Sequence, residues 1–454
     1  GWNGADSQVT YDIGGAGLST TFSGVIANQE NNDCAGAMVS IVKSGAGALT
    51  LTVAQTYTGT TTVAAGNLVF SSGGTLIYNS GNLFINNGST LRFTGSRYDV
   101  SGKTFTFDGN GSNTLDTSAG LNFVTWAPGN TYATAGGPRN YIAGTSGINI
   151  NAGVVSVFDV ARGTDDSDLK ITAPIWNGGG ISKTGNGILE IAGAMTYSGN
   201  TTVNAGTLKI GVGGVIYADN YRTSVLTVKT NGVLDLQTWS YDQSLAHSES
   251  LGGLAYNLGC LVVDGGTIRM SGTNATACPR SLQMGGGGMT LEAAAGANWT
   301  LSYDVNHSIA NASSGPIVLT GGGTGRIDKA IPGTNATATL VKTGSGTWTL
   351  SAGNSFVGAT AVSNGVLVLT TAGRLASVAV TVETNALLQL PSGSGALDVI
   401  PDSAVVSLAS SGGAYGRMSV GAEEVIGALN LGGAAQPRGT YGSTTSAAAN
   451  QDDN

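Results

Sequence analysis

Three lysines far apart in the chain, Lys43, Lys183 and Lys342, each open the same series of features at the same offsets. Glycines follow at +2 and +4 (Gly45 and Gly47, Gly185 and Gly187, Gly344 and Gly346), then large apolar residues at +6 and +8 (Leu49 and Leu51, Leu189 and Ile191, Trp348 and Leu350). The spacing holds through a second half, with Tyr57, Tyr197 or Phe356 at +14, Gly59, Gly199 or Gly358 at +16, and Val63, Val203 or Val362 at +20. It closes with Gly66, Gly206 or Gly365 at +23 and Leu68, Leu208 or Leu367 at +25. No copy carries an insertion. A unit that keeps its internal length this strictly stacks against similar geometry above and below, which is the physics of a solenoid.

The rest of the chain reads the same way on a shorter scale. Apolar residues alternate with Ser, Thr and Asn in short runs, and Asn-Gly or Gly-Gly separates one run from the next. Leu83-Phe84-Ile85 passes through Asn87-Gly88 to Leu91-Arg92-Phe93, and Val225 to Val228 passes through Asn231-Gly232 to Val233 to Leu236. Leu261-Val262-Val263 leads through Gly265-Gly266 to Ile268-Arg269-Met270, and Val380-Thr381-Val382 leads through Asn385 to Leu387 to Leu390. No long stretch has the 3.6-residue period of an amphipathic helix, so crossover helices and an α/β fold are excluded.

Composition fits coils joined by main-chain bonds. Glycine makes up 73 of 454 residues, and charged residues only 10%, against averages of about 7% and about 25%. Corners that need positive φ use glycine or Asn-Gly, and outward ladders of Thr, Ser and Asn need no ion pairs. At roughly 20–30 residues per coil, the sequence predicts an all-β solenoid, a single elongated rod with loop insertions at Gln29 to Met38, Trp126 to Tyr141 and Tyr217 to Arg222.

The formal net charge is −8, which argues against nucleic acid and anionic membranes as partners. No apolar run is long enough to cross a bilayer as a helix, so no transmembrane segment is expected. The start, Gly1-Trp2-Asn3-Gly4, reads as a mature protein without its targeting segment. Of the three cysteines, Cys260 and Cys278 could form one disulfide, leaving Cys34 odd; three idle thiols are the alternative.

The pattern Lys-Thr-Gly-x-Gly-x-Leu-x-Leu, then Tyr-x-Gly-x-Thr-x-Val-x-x-Gly-x-Leu, resembles the autotransporter-associated β-strand repeat, also called the passenger-associated transport repeat, of secreted bacterial proteins. Copies at 41–70, 181–210 and 340–369 carry it. The second is the nearest to the pattern; the first departs at Ser44, the third at Trp348, Phe356 and Ala361. Gly427 to Leu431 and Gln436 to Gly442 look like the closing segment of large secreted proteins with this repeat. The resemblance implies a right-handed parallel β-helix over residues 1–393, a closing segment over 394–454, and a place outside the cell or on the bacterial surface. No outer-membrane barrel pattern is evident, and after Gly442 only the polar Ser443 to Asn454 follows, where such proteins tend to add an apolar strand.

Candidate sites are few. Gly102-Lys103-Thr104 lacks the leading glycine of a phosphate loop and runs into strand-like Phe105-Thr106-Phe107. His247 and His307 form no metal or catalytic pair. Asp159, Asp165, Asp166 and Asp168, with Arg162 and Lys170, form the densest acidic cluster. Its plain reading is a solvated turn; the functional readings are a Ca²⁺ loop at Asp165, Asp166 and Asp168, or carboxylate catalysis on an acidic polysaccharide. Asp108 and Asn110 are a second calcium candidate. Trp239 and Tyr241 share a strand face and could stack on glycans, with Tyr217 and Tyr221 on a loop; the plain reading is that they cover a corner.

The expectation is therefore an extracellular, non-catalytic β-solenoid with a structural or adhesive role and no resident cofactor. Its chain ends suit end-to-end association into a homopolymeric filament. The alternatives are a displayed adhesin that binds surface glycans and a polysaccharide-acting enzyme.

Overall fold

The computed structural model describes residues 8–28, 38–72, 74–75, 81–95, 98–118, 121–122, 129–216, 225–237, 261–272, 274–276, 282–302, 309–311, 315–333, 338–442 and 444–451. Among these residues every regular element is a β-strand. The expected fold class holds: strands of successive coils pair in parallel and stack as a β-solenoid. Two compact units divide the chain. One holds residues 1–227, 231–235 and 242–255, and the other 228–230, 236–241 and 256–454.

In the first unit, parallel pairing recurs at intervals that set the coil length. Ile41 pairs with Thr61, 20 residues on, and Phe105 with Tyr132, 27 residues on. Alternation in the sequence becomes alternation of direction, as in Leu83–Ile85, where Leu83 and Ile85 are buried and Phe84 is half-buried. The inward positions then stack coil upon coil. One column runs Leu49, Leu68, Leu91, Leu115, Ile142, Ile171, Ile191 and Ile210, and no member is more than 2% exposed. On another face Phe105, Tyr132 and Phe158 stack as near-parallel rings with centroids 5.2 and 4.9 Å apart. Burial at this density supplies roughly 1.5–3 kcal/mol per large apolar side chain.

The corners fall where Asn and Gly punctuate the sequence. Asn87, Asn231 and Asn385 have φ of 56, 70 and 66°, the left-handed region that asparagine tolerates better than any branched residue. One expected insertion is corrected. Within Trp126 to Tyr141, the strands Thr131–Thr134 and Asn140–Ala143 are ladder members. The Gly136-Gly137 corner between them, at φ 88 and 78°, carries the sharp turn that reads as a loop. Residues 29–37, 126–128 and 217–222 of the expected insertions lie outside the described residues.

The second unit repeats the construction. Its column Ile268, Leu291, Leu319, Lys342, Val362, Val382, Leu408 and Leu431 is apolar except at one lysine. In the expected closing segment Val405–Leu408 pairs in parallel with Ala379–Val382, and Ala428–Leu431 with Val405–Leu408. The chain then reverses, Ala434 and Ala435 pairing antiparallel with Leu431 and Asn430.

Candidate functional site

The lysine that opens each repeat points into the solenoid. Lys43 stands between Ile13 and Val63 in its column, Lys183 between Phe158 and Val203, and Lys342 between Leu319 and Val362. Each is at most 1% exposed. An ammonium in such a place is costly unless all three of its donors find acceptors. They do, in the same way three times. Lys183 Nζ donates to the carbonyls of Thr184, Gly185 and Ala205 at 2.6, 2.9 and 3.1 Å. Lys43 Nζ reaches Ser44, Gly45 and Ala65, and Lys342 Nζ reaches Thr343, Gly344 and Asn364, all at 2.7–3.1 Å. The third carbonyl lies 22 residues on, so the side chain ties one coil to the next.

Local geometry is built around that cradle. The glycine at +2 has φ of 72, 70 and 69° in the three copies, turning its carbonyl onto the ammonium. At +4 a Cβ on Gly47, Gly187 or Gly346 would come within 2.1–2.4 Å of the main chain of the preceding coil. Burial pushes Lys183 and Lys342 down to about 8, and lowers Lys43 as well; the charge of Asp12 opposes this at Lys43, and those of Asp159 and Asp168 at Lys183. With every donor engaged, these lysines hold main chain in place.

The departures of the third copy are matched by changes around it. Tyr57 and Tyr197 share a hydrogen bond with Thr61 and Thr201 at 2.6 and 2.5 Å. Phe356 has no hydroxyl, and Thr360 instead meets Ser377 Oγ at 2.7 Å. Trp348, in the place of leucine, donates its indole N–H to the Thr320 carbonyl at 2.9 Å.

The acidic cluster is taken up by the fold residue by residue. Asp168, 1% exposed, accepts from Arg162 Nη1 and Gly163 N on Oδ1, both at 2.7 Å, and from Ile188 N on Oδ2 at 2.6 Å. Asp165 accepts from Arg139 N at 2.8 Å, Asp159 from Thr184 Oγ1 at 3.0 Å, and Asp166 pairs with the Arg139 guanidinium. Lys170 bonds Glu190 at 2.8 Å, and Lys209 Nζ lies 3.8 Å from the other oxygen of Glu190. Burial raises the Glu190 carboxyl, but the hydrogen bond of Lys170 and the charges of Lys209 and Lys170 outweigh it and hold the group below its usual value. Asp108 accepts from the main chain of Asn87 and Asn110 and from the amides of Asn110 and Asn113, closing a turn. Among the described residues no three or more His, Cys, Asp or Glu side chains converge as a metal site would require. Lys103-Thr104 enters the strand Thr104–Phe107. Cys34, Cys260, Cys278, Tyr217, Tyr221, Trp239, Tyr241, His247 and His307 lie outside the described residues.

Sequence reasoning marked the three lysines as repeat members but missed where they point. The signal was available: a lysine held at a fixed offset beside two invariantly spaced glycines has a geometric task. The passenger-associated-transport-repeat family matches residues 41–70, 181–210 and 340–369. The chain carries three passenger-associated-transport repeats. Each repeat thus holds the strand with the buried lysine, its glycine corner, the strand beyond that corner, and two strands of the next coil. No curated protein and no solved structure matches the chain. Among the described residues no helix is long and apolar enough to cross a membrane.

Proposed function

We propose that the chain is the passenger part of a secreted or surface-displayed protein, with a structural, non-catalytic role as a scaffold whose copies join end to end. The passenger repeats and the solenoid support the first part. The second rests on the first coil. There Val9, Tyr11 and Phe22 are 38, 50 and 42% exposed, yet their register partners in the next coil, Val39, Ile41 and Leu51, are 3, 0 and 0% exposed. Among the described residues nothing stacks on the other side of these columns.

Among the described residues Gln8–Ile13 pairs on one side only, with Met38–Lys43, and an edge of this kind templates another strand. Among the described residues the closing segment has a second edge: Arg417–Glu424 pairs on one side, in parallel with Ala386–Leu397, and Val420 within it and Val425 just after it are 38 and 55% exposed. A second copy supplies parallel strands and apolar columns of matching spacing, so the occupant these edges fit is another solenoid end. Light scattering and negative-stain microscopy test this reading. Rods that lengthen with protein concentration, and that Tyr11→Lys shortens to single units, are expected; a monodisperse monomer at every concentration overturns it.

A further inference from the structure

Outside the repeats, one exposed aromatic sits in a setting of its own. Trp176, on the strand Ile175–Asn177, is 39% exposed. Its indole N–H is spent on the Ser146 carbonyl at 3.2 Å, which fixes the ring against the preceding coil and leaves carbon surface as what it offers to solvent. Its neighbours are amides and a hydroxyl. Asn149 and Thr196 are its register partners on the coils before and after. Asn177, at φ 87°, donates from Nδ2 to Asn149 Oδ1 at 2.7 Å and to Asn151 Oδ1 at 3.1 Å. Asparagine is among the few non-glycine residues that accept such a φ, and these two amide bonds hold its side chain in place.

The chain after Asn177 packs tightly on the preceding coil. Gly178 and Gly179 follow Asn177, and a Cβ on either would run into Ala152 or Ile150, at 2.7 and 2.1 Å. The three stretches that build this surface are also without charge: residues 144–158, 171–182 and 191–208 contain no Asp, Glu, Lys or Arg.

We propose that Trp176, with Asn151, Asn177 and Thr196, forms a binding ledge for a neutral glycan. A sugar ring presents C–H groups on its faces and hydroxyls at its rim. The first stack on an aromatic ring, and the second match the Thr196 hydroxyl, which donates and accepts, and the Asn177 carbonyl oxygen, whose amide hydrogens are engaged with Asn149 and Asn151. The absence of charge selects against uronic-acid polymers, which would need cations, and against basic peptides, which would need carboxylates. The ledge lies within one unit and needs no second copy, so it is independent of end-to-end association.

The test uses the full chain with laminarin, cellohexaose and chitohexaose as neutral probes and polygalacturonate as the acidic contrast, read by Trp fluorescence titration and calorimetry. The expected result is binding of at least one neutral probe, about tenfold or more weaker in Trp176→Ala, retained in Trp176→Phe, and with no polygalacturonate binding. Circular dichroism of the variants should match the parent, since Trp176 is a surface residue. Three results would each overturn the ledge: no binding of any neutral probe by the parent chain, equal binding by Trp176→Ala, or preference for polygalacturonate.

Discussion

Trp299 and Trp348 stand two coils apart in one interior column, yet their rings meet edge to face with centroids 5.7 Å apart. Coils stack at about 4.8 Å, so two steps would separate the rings further if an ordinary side chain stood between them. The intervening residue is Gly325, and a Cβ there would lie 2.4 Å from the Trp348 ring. The tryptophan that departs from the repeat pattern is therefore accommodated by a glycine one coil earlier. Gly325→Ala should destabilise the fold by about 1–3 kcal/mol through overpacking. Adding Trp348→Leu, which restores the residue type of the other copies, should remove most of that cost. Urea denaturation of the single and double variants checks it; additive losses would refute the coupling.

The buried lysines make a second prediction. Lys183→Met keeps the apolar stem but leaves the carbonyls of Thr184, Gly185 and Ala205 without their donor. Each unsatisfied buried group costs about 1–3 kcal/mol, so the variant should unfold at clearly lower urea than the parent. Lys229→Met, at an exposed position, should have a much smaller effect. Similar midpoints for the two variants would contradict the cradle.

Buried lysines and buried tyrosines make stability depend on pH in opposite senses. Burial holds Lys103, Lys183 and Lys342 near 8, below the usual 10.5. Between those values the unfolded chain binds protons that the folded chain has released, so stability rises with pH across that window. Burial raises Tyr57, Tyr132 and Tyr197 above their usual 10, and Tyr98 to about 12. Above about pH 10 the folded chain keeps protons that the unfolded chain has lost, and stability falls. The urea midpoint should climb from about pH 8, peak near pH 10 and then drop; a steady decline over the same range would go against the buried lysines.

Asp168 supplies a fourth. Its carboxylate satisfies two main-chain N–H groups and a guanidinium. Asp168→Ala leaves the main-chain N–H groups of Gly163 and Ile188 without their acceptor, at about 1–3 kcal/mol each. Because the carboxylates around it already have partners within the chain, adding Ca²⁺ or excess EDTA should leave the melting temperature of the parent unchanged. A calcium-dependent rise of several degrees would show that these side chains have another task.

Much of this architecture is legible in the sequence, and the limits have physical causes. Fixed offsets from Lys43, Lys183 and Lys342 give the coil, and Asn87, Asn231 and Asn385 mark corners because few other residues accept positive φ. The inward turn of the lysines is not legible from composition, since lysine is almost never fully buried unless paired, and its third acceptor lies a coil away. The same is true of Asp168, whose partner Ile188 is 20 residues on. Read along the chain, the acidic cluster looks like an open site; read across coils, its members are committed to different partners. Gly325 and Trp348 likewise become a pair only once the register is known.

The most direct test of end-to-end joining is amide hydrogen exchange of the first strand, Gln8–Ile13, measured by mass spectrometry in dilute and concentrated samples. The account predicts that exchange on this edge slows about tenfold or more with concentration, while amides of interior strands such as Ile188–Ile191 are already protected and do not change. Exchange of Gln8–Ile13 that stays fast at every concentration would contradict it.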